Sequence, residues 1–310
     1  MNSHLCKKNK KEVKRINPYG LKLFLLALPF VVLVFMFRYV PLLGWSLAFF
    51  NYKPGLSFDK MQFVGLKYFK LIGFFKEDVI NALINTLVMS GLSLLTSPLP
   101  VIFAILLTEL RSSKFRKVLQ TTVTLPHFVS WVIVYSLCFG LFSSNGLVNN
   151  LLLNVGSGKQ FNLLANADKA WLFMLYLGIW KSLGWDSIIY LAAISSIEQT
   201  LYEAAKIDGA GRFRCIWHIV IPGVMPTFIV LLLLQVSNIL SAGFEKYFAF
   251  NNVMVAEKLE VLEMYIYRIG IGTQDYSFAT AVGIIKSAVS LTLLFSVNSL
   301  AKHVRGESLI

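Results

Sequence analysis

The stretch Leu201-Tyr202-Glu203-Ala204-Ala205-Lys206-Ile207-Asp208-Gly209-Ala210-Gly211-Arg212-Phe213-Arg214-Cys215-Ile216-Trp217-His218-Ile219-Val220-Ile221-Pro222 is a polar interval between two long apolar runs. Residues 198–207 are mainly good helix formers. Asp208-Gly209-Ala210-Gly211 permits a sharp turn with positive φ. Arg212–Ile219 then forms a second short helix leading to Pro222, where the next apolar run begins. The reading is a helix–turn–helix lying across the end of a helical bundle. Small Ala204 and Ala205 beside charged Glu203 make a knob suited to a partner's groove. The plainer reading is a tidy hairpin that only connects two helices.

The runs on either side decide what kind of bundle this is. The chain has 310 residues, 56% of them apolar and only 15% charged, where soluble domains carry roughly 25% charge. Residues 79–108, 118–158 and 215–244 contain no Asp, Glu, Lys or Arg. A bilayer-spanning helix needs about 20 mostly apolar residues, so each run can hold one. Composition thus excludes a soluble enzyme, a disordered chain and a secreted disulfide scaffold. Cys6, Cys138 and Cys215 are scattered, with neither metal-ligand nor disulfide spacing.

The expected fold is an all-α integral membrane protein with six transmembrane helices. They fall near Leu21–Trp45, Asn85–Thr108, Pro126–Phe142, Ala170–Ile197, Ile219–Gly243 and Tyr276–Ala301. Lys22 in the first can snorkel. The fourth carries Lys181 and Asp186, and the sixth Lys286. Pro98 and Pro100, and Pro222 and Pro226, are expected to break or bend their helices. The basic N-terminus followed by the apolar run from Leu21 resembles a secretory signal, but no small-x-small cleavage site follows, so it reads as a retained span. Six spans put both termini on one side. The loops and tails of that side carry net +9, those of the other side +2. The positive-inside rule places both termini in the cytoplasm of a multi-pass plasma-membrane protein. The formal charge of +13 needs no nucleic acid to explain it.

The outer loops show turn signals at Pro54-Gly55, Ser144-Asn145-Gly146 and Gly156-Ser157-Gly158. Leu259, Leu262, Ile266 and Ile269 recur at helical spacing and predict a short amphipathic helix. Chemistry is sparse. Gly158-Lys159 is followed by Gln160, so no phosphate-cradling loop is present, and His4, His127, His218 and His303 form no metal motif. No catalytic or metal site is expected. If ATP drives the protein, a different polypeptide hydrolyses it.

The pattern Glu203-Ala204-Ala205, three residues, Gly209, nine residues, Ile219, one residue, Ile221-Pro222 resembles the EAA loop of type I ABC importer permeases. That family usually has Leu-Pro where this chain has Ile221-Pro222. The stretches Thr124–Trp131, Trp180–Trp185 and Tyr276–Gly283 are similar to the LplB-type branch, permeases for complex carbohydrates. The resemblance implies a transmembrane domain over 79–302 with its coupling loop at 198–222. Around it lie a basic tail (1–20), a first span and outer loop (21–78) and a short tail (303–310). It implies that Glu203, Ala204, Ala205, Asp208 and Gly209 dock in a cleft of an ATPase. The implied partners are a second homologous permease, two ABC ATPase subunits holding ATP-Mg, an extracytoplasmic solute-binding protein and the lipid bilayer. Alternating access by rigid-body motion would couple them. Importers of non-sugar solutes share these features. An ion-coupled carrier is the rival class, with Asp186 as its midplane carboxylate.

For the substrate path, intramembrane polar residues are the default candidates. Gln235 and Asn238 share a helix face, and Trp180 and Trp185 offer aromatic surfaces for sugar rings. In the maltose permease, a relative, equivalent stretches bind sugar, and the likeness carries over to these four. The plainer readings are helix–helix hydrogen bonds and interface anchors. Lys181 and Lys286 each need a carboxylate or a wet cavity. Glu245 or a partner-permease residue is a candidate counter-ion. Alternatively, the two lysines attract an acidic, uronate-bearing oligosaccharide.

Overall fold

The computed structural model describes residues 18–55, 61–154 and 162–305. Most of the basic tail, the 156–158 turn, Gly158-Lys159-Gln160, Cys6, His4 and the last five residues lie outside them. The chain divides into two units at Leu47/Ala48. The first holds α1 (Pro18–Val34), a π-helical turn (Phe35–Tyr39) and the start of a 3₁₀ stretch (Val40–Phe49). Its large apolar side chains are exposed along its length, Leu23 and Phe37 among them. Such a surface suits lipid rather than water.

The second unit opens with β1 (Phe50–Asn51) paired antiparallel to β2 (Gln62–Phe63). The expected turn at Pro54-Gly55 is present, with Gly55 at φ +88°. Helices follow: α2 (Lys67–Leu71), α3 (Lys76–Leu95), α4 (Pro98–Thr108), α5 (Ser113–Thr124), α6 (Trp131–Phe142) and α7 (Leu147–Asn154). After them come α8 (Ala167–Ser195), α9 (Gln199–Ile207), α10 (Arg212–Cys215), α11 (Ile221–Ser237), α12 (Phe244–Phe250), α13 (Ala256–Leu259), α14 (Leu262–Tyr267) and α15 (Tyr276–Arg305).

Among the described residues, five helical stretches are long and apolar enough to cross a membrane: Lys22–Phe49, Lys76–Thr108, Trp131–Asn154, Arg212–Ser237 and Tyr276–Ser299. The fourth expected span is the single 29-residue helix α8, about 44 Å long at 1.5 Å per residue. It has the length to cross, but Lys181, Asp186 and its glycines and tryptophans dilute its hydropathy, so it is not one of the five.

Boundaries differ from expectation for identifiable reasons. The second span is two helices, because the chain turns after Thr96 and Pro98 starts α4, where a missing N–H costs nothing. The third starts at Trp131 rather than Pro126. Pro126 sits in a 3₁₀ turn, and Ser130 caps α6 by accepting from the Ile133 N–H. The short helix expected after the turn does not end at Pro222. α10 passes through a π-helical turn (Ile216–Val220) straight into α11, and the first turn of α11 absorbs Pro222. The amphipathic helix expected near Leu259–Ile269 is split into α13, α14 and a π-helical turn (Arg268–Gly272). Leu259 and Leu262 are buried there, and Ile266 and Ile269 pack against the core.

Three apolar cores hold the unit. Ala104, Ile105, Tyr190, Ile194, Val220 and Val224 join α4, α8 and α11 near the 198–211 turn region. At the other end, Val134, Met174, Tyr247, Phe250 and Val261 join α6, α8, α12 and the segment before α14. Tyr68, Ala82, Tyr265, Phe278 and Val282 join α2, α3, α14 and α15. Buried polar groups pin the short helices to the long ones. The Asn85 side-chain amide donates to the Glu257 carbonyl (2.8 Å), the Leu262 N–H donates to Thr86 Oγ1 (2.8 Å) and Trp171 Nε1 donates to the Lys258 carbonyl (2.7 Å). Unmet, each such group would cost about 1–3 kcal/mol, so the 256–262 segment is held firmly.

Candidate functional site: a hydroxyl-lined passage and an exposed hairpin

Two adjoining cavities lie among α3, α4, α8 and α11. The larger is about 270 Å³ and is lined by Ser93, Thr96, Ser97, Ser182, Asp186 and Gln235 among others. The second, about 110 Å³, shares Ser93 and Gln235 and adds Ser90, Asn238 and Ser241. Tyr247 also lines it, and its buried hydroxyl has no hydrogen-bond partner among the described residues. Gln235 Nε2 donates to Ser93 Oγ across the α3–α11 contact (3.0 Å), which fixes the amide at the junction. Asn238 donates to the Leu234 carbonyl of its own helix (3.0 Å), leaving its Oδ1 able to accept. The polar part of the lining, hydroxyls, amides and the Asp186 carboxylate, both donates and accepts, as a polyol needs, and apolar side chains such as Leu99, Ile179 and Leu231 complete the wall. At about 270 Å³ the larger cavity falls below a typical ligand site of roughly 300–1,000 Å³.

Of the expected path residues, Gln235 and Asn238 come together here. Trp180 and Trp185 are exposed on α8, at 47% and 44%. The Trp185 ring stacks on His127 at 4.4 Å and meets Phe128 edge-on. Lys181 is buried and turned to α6 and the turn before it. Its ammonium donates to the carbonyls of His127 (2.6 Å) and Pro126 (3.3 Å) and lies over the Trp131 ring. Lys286 pairs with Glu263 at 2.6 Å, a carboxylate the sequence reading did not single out. Neither lysine lines the two cavities. Ser90 and Ser93 of α3 and Ser97 at the start of α4 were missed because serines are weakly polar and common in membrane helices. A spacing of three to four residues along one helix face was the available signal.

The Lys286–Glu263 pair is only about one-fifth exposed, so removing one partner leaves an uncompensated charge. Lys286→Met and Glu263→Gln are each expected to destabilise by about 2 kcal/mol, and the double variant by less than their sum. Thermal melts of the four proteins in detergent check this; additive losses would mean that the two side chains do not interact.

A third cavity of about 390 Å³ lies at the opposite end from the hairpin, lined by Trp131, Gly243, Phe244, Glu245 and Lys246. Burial pushes the Lys246 ammonium down to about 8. From there up to the ordinary lysine range the unfolded chain holds a proton that the folded chain has released. Stability from this group therefore rises with pH across that window and is lowest below it. Lys246→Met should flatten the rise in melting temperature between about pH 8 and 10. An unchanged slope would mean the amine is solvated.

The hairpin has the expected turn. Gly209 sits at φ +71°. The Ala210 N–H donates to the Ala205 carbonyl (2.8 Å) and the Gly209 N–H to the Lys206 carbonyl (3.1 Å), a Schellman cap on α9. The distance from Ala205 to Gly209 is therefore a cap geometry and not only a pattern. Glu203, Ala204, Asp208 and Gly209 are exposed and Ala205 half-buried, while Ile207 is 87% and Phe213 82% exposed. Tyr202 and Ile216 meanwhile pack on the α4–α8–α11 core. One side of the hairpin is thus anchored to the long helices and the other presents bare apolar side chains around a charged knob. Exposed apolar side chains grouped in this way mark a surface for interaction.

These features define a helical membrane protein with a polar internal path and an exposed intersegment hairpin. Residues 97–306 match the family described as binding-protein-dependent transport system inner membrane component. The chain belongs to this family: it is a transport permease subunit, not an enzyme, and a multi-pass protein of the bacterial plasma membrane. It is 39% identical to protein LplB of Bacillus subtilis over 93% of this chain and 90% of that one. It is 41% identical to the polygalacturonan/rhamnogalacturonan transport system permease protein YteP of the same organism, over 93% and 89%. Among solved structures, it is similar to a chain of a bacterial ABC transporter involved in the import of the acidic polysaccharide alginate. There the TM-score is 0.82 and the identity 36%, over 93% of this chain and 97% of that one.

Proposed function

We propose that this chain forms one half of the membrane passage of an ATP-driven importer for oligosaccharides, including uronate-bearing ones. The observation that carries the reading is the likeness, along nearly the whole chain, to a polygalacturonan/rhamnogalacturonan permease and to a chain of an alginate importer. The hydroxyls and amides of the two cavities suit the neutral, hydroxyl-bearing face of such a cargo. A second homologous permease completes the passage. Trp180 and Trp185, exposed on α8, then face the closed path and stack on sugar rings. Lys181 and Lys286 act as struts, engaged with backbone carbonyls and with Glu263.

In this reading α8 is a sixth span and both termini are cytoplasmic, in keeping with the net +9 against +2 of the two sets of loops. The hairpin is then cytoplasmic. Glu203, Ala204, Ala205, Asp208 and Gly209 dock on one of two ATPase subunits, which hold ATP-Mg, with Glu203 facing a basic residue there. ATP draws the ATPases together, the hairpins follow, and the anchored ends of α8 and α11 turn the passage outward to a solute-binding protein. Hydrolysis reverses the motion.

The test is uptake of oligogalacturonides by proteoliposomes holding both permeases, the ATPases and the binding protein. ATP-dependent accumulation is expected. Uptake by this chain alone, driven by an ion gradient, would favour a secondary carrier; uptake only of a non-sugar solute would retain the importer and change the cargo.

A further inference from the structure

The two cavities contain one charged side chain, and it has the wrong sign for an acidic sugar. Of the residues lining them, Asp186 alone is ionisable in the ordinary carboxylate or amine sense; the rest of the polar lining is hydroxyl and amide. The two intramembrane lysines that would balance it are committed elsewhere. Lys181 donates to the carbonyls of Pro126 and His127, and Lys286 is paired with Glu263. Lys246 lines a separate cavity, beside Glu245.

We propose that Asp186 selects by charge. It accepts hydrogen bonds from sugar hydroxyls and repels sugar carboxylates, so that an oligosaccharide passes with its neutral, hydroxyl-rich face against this chain and its carboxylates turned to the opposite wall. Two features make this a property of the site rather than of a lone acid. Ser182 stands one helical turn before Asp186 on α8, lines the same cavity and hydrogen-bonds the carboxylate, which orients it and leaves its other oxygen to accept from a sugar hydroxyl. Gln235, across the cavity on α11, is held in place by Ser93. A carboxylate in a half-enclosed polar site acts on another charge through a lower effective dielectric than bulk water, so its repulsion is felt across the cavity. The charge complement for an acidic cargo is then expected from the second permease. This inference deepens the oligosaccharide reading and rests on it.

The experiment uses the complete importer in proteoliposomes, with binding protein saturated by trigalacturonate carrying no, one or two methyl-esterified carboxylates. The esters keep stereochemistry and remove charge, and ratios within one preparation cancel differences in the amount of active complex. Asp186→Asn is expected to raise the free-acid-to-ester uptake ratio roughly tenfold, the repulsion of two like charges held about 12 Å apart across the site at an effective dielectric near 20. Asp186→Ser, which removes the same charge with a smaller hydroxyl side chain, should raise it likewise, and it carries the test if the asparagine variant fails to assemble. Ratios unchanged in the variants, with transport retained, would overturn the inference and leave the oligosaccharide reading intact. No uptake of any member by the unaltered importer would overturn that reading, and the inference with it.

Discussion

Gly209→Pro is expected to leave membrane insertion intact and to reduce substrate-stimulated ATP hydrolysis in the assembled importer by roughly 10- to 100-fold, the range of typical inter-site coupling. The reason is local. Gly209 holds φ +71° and its N–H closes the cap onto Lys206. Proline is fixed near φ −65° and has no N–H, so both features are lost. The hairpin then re-aims Glu203 and Ala204 while the long helices, anchored through Tyr202 and Ile216, stay in place. A graded series separates geometry from bulk. Asparagine tolerates the left-handed region and should retain most activity, whereas alanine pays about 1–2 kcal/mol there and should fall between. A Cβ at Gly209 would meet no atom within 4 Å, so the alanine variant reads backbone conformation and not bulk. If all three variants hydrolyse ATP normally in response to substrate, the hairpin does not carry the signal.

The second large effect is at Gly184. A Cβ there would overlap the backbone of α5, with the Val123 carbonyl and the Thr124 amide nitrogen (2.6 Å) in its way. Backbone cannot swing aside as a side chain can, so Gly184→Ala must push α5 away from α8. The expected cost is about 3 kcal/mol, at the upper end for overpacking, seen as a lowered melting temperature and poor assembly with the second permease. Gly223 makes a useful control. Its added carbon would meet only the Ile197 side chain, which has rotamers to spare, and Gly223→Ala should cost about 1 kcal/mol. Equal effects at the two sites would show that the α5–α8 crossing is looser than its geometry implies.

Much of this molecule was legible from local chemistry. Charge-free runs announce helices, because lipid leaves the backbone no other partner. The turn at Gly209 was readable because few residues accept positive φ. Less legible were features set by packing between distant segments. α8 carries Lys181 and Asp186, so its hydropathy alone understates it; its place in the bundle comes from α4 and α11, whose apolar side chains share a core with Tyr190 and Ile194. The fate of Lys286 depends on Glu263, which lies in a short helix 23 residues earlier. The cavity serines could not be ranked, since a serine in a membrane helix looks the same in sequence whether it bonds its own backbone, as Ser287 does, or lines a passage, as Ser93 does.

The most direct test of the account is a cross-link. In a background without native cysteines, Ala204→Cys is expected to form a disulfide with a cysteine placed in the cleft of the ATPase subunit. That bond should halt ATP hydrolysis, and reduction should restore it. Labelling of the same residue in intact cells by a membrane-impermeant maleimide added from outside would place the hairpin on the wrong face of the membrane and contradict the account.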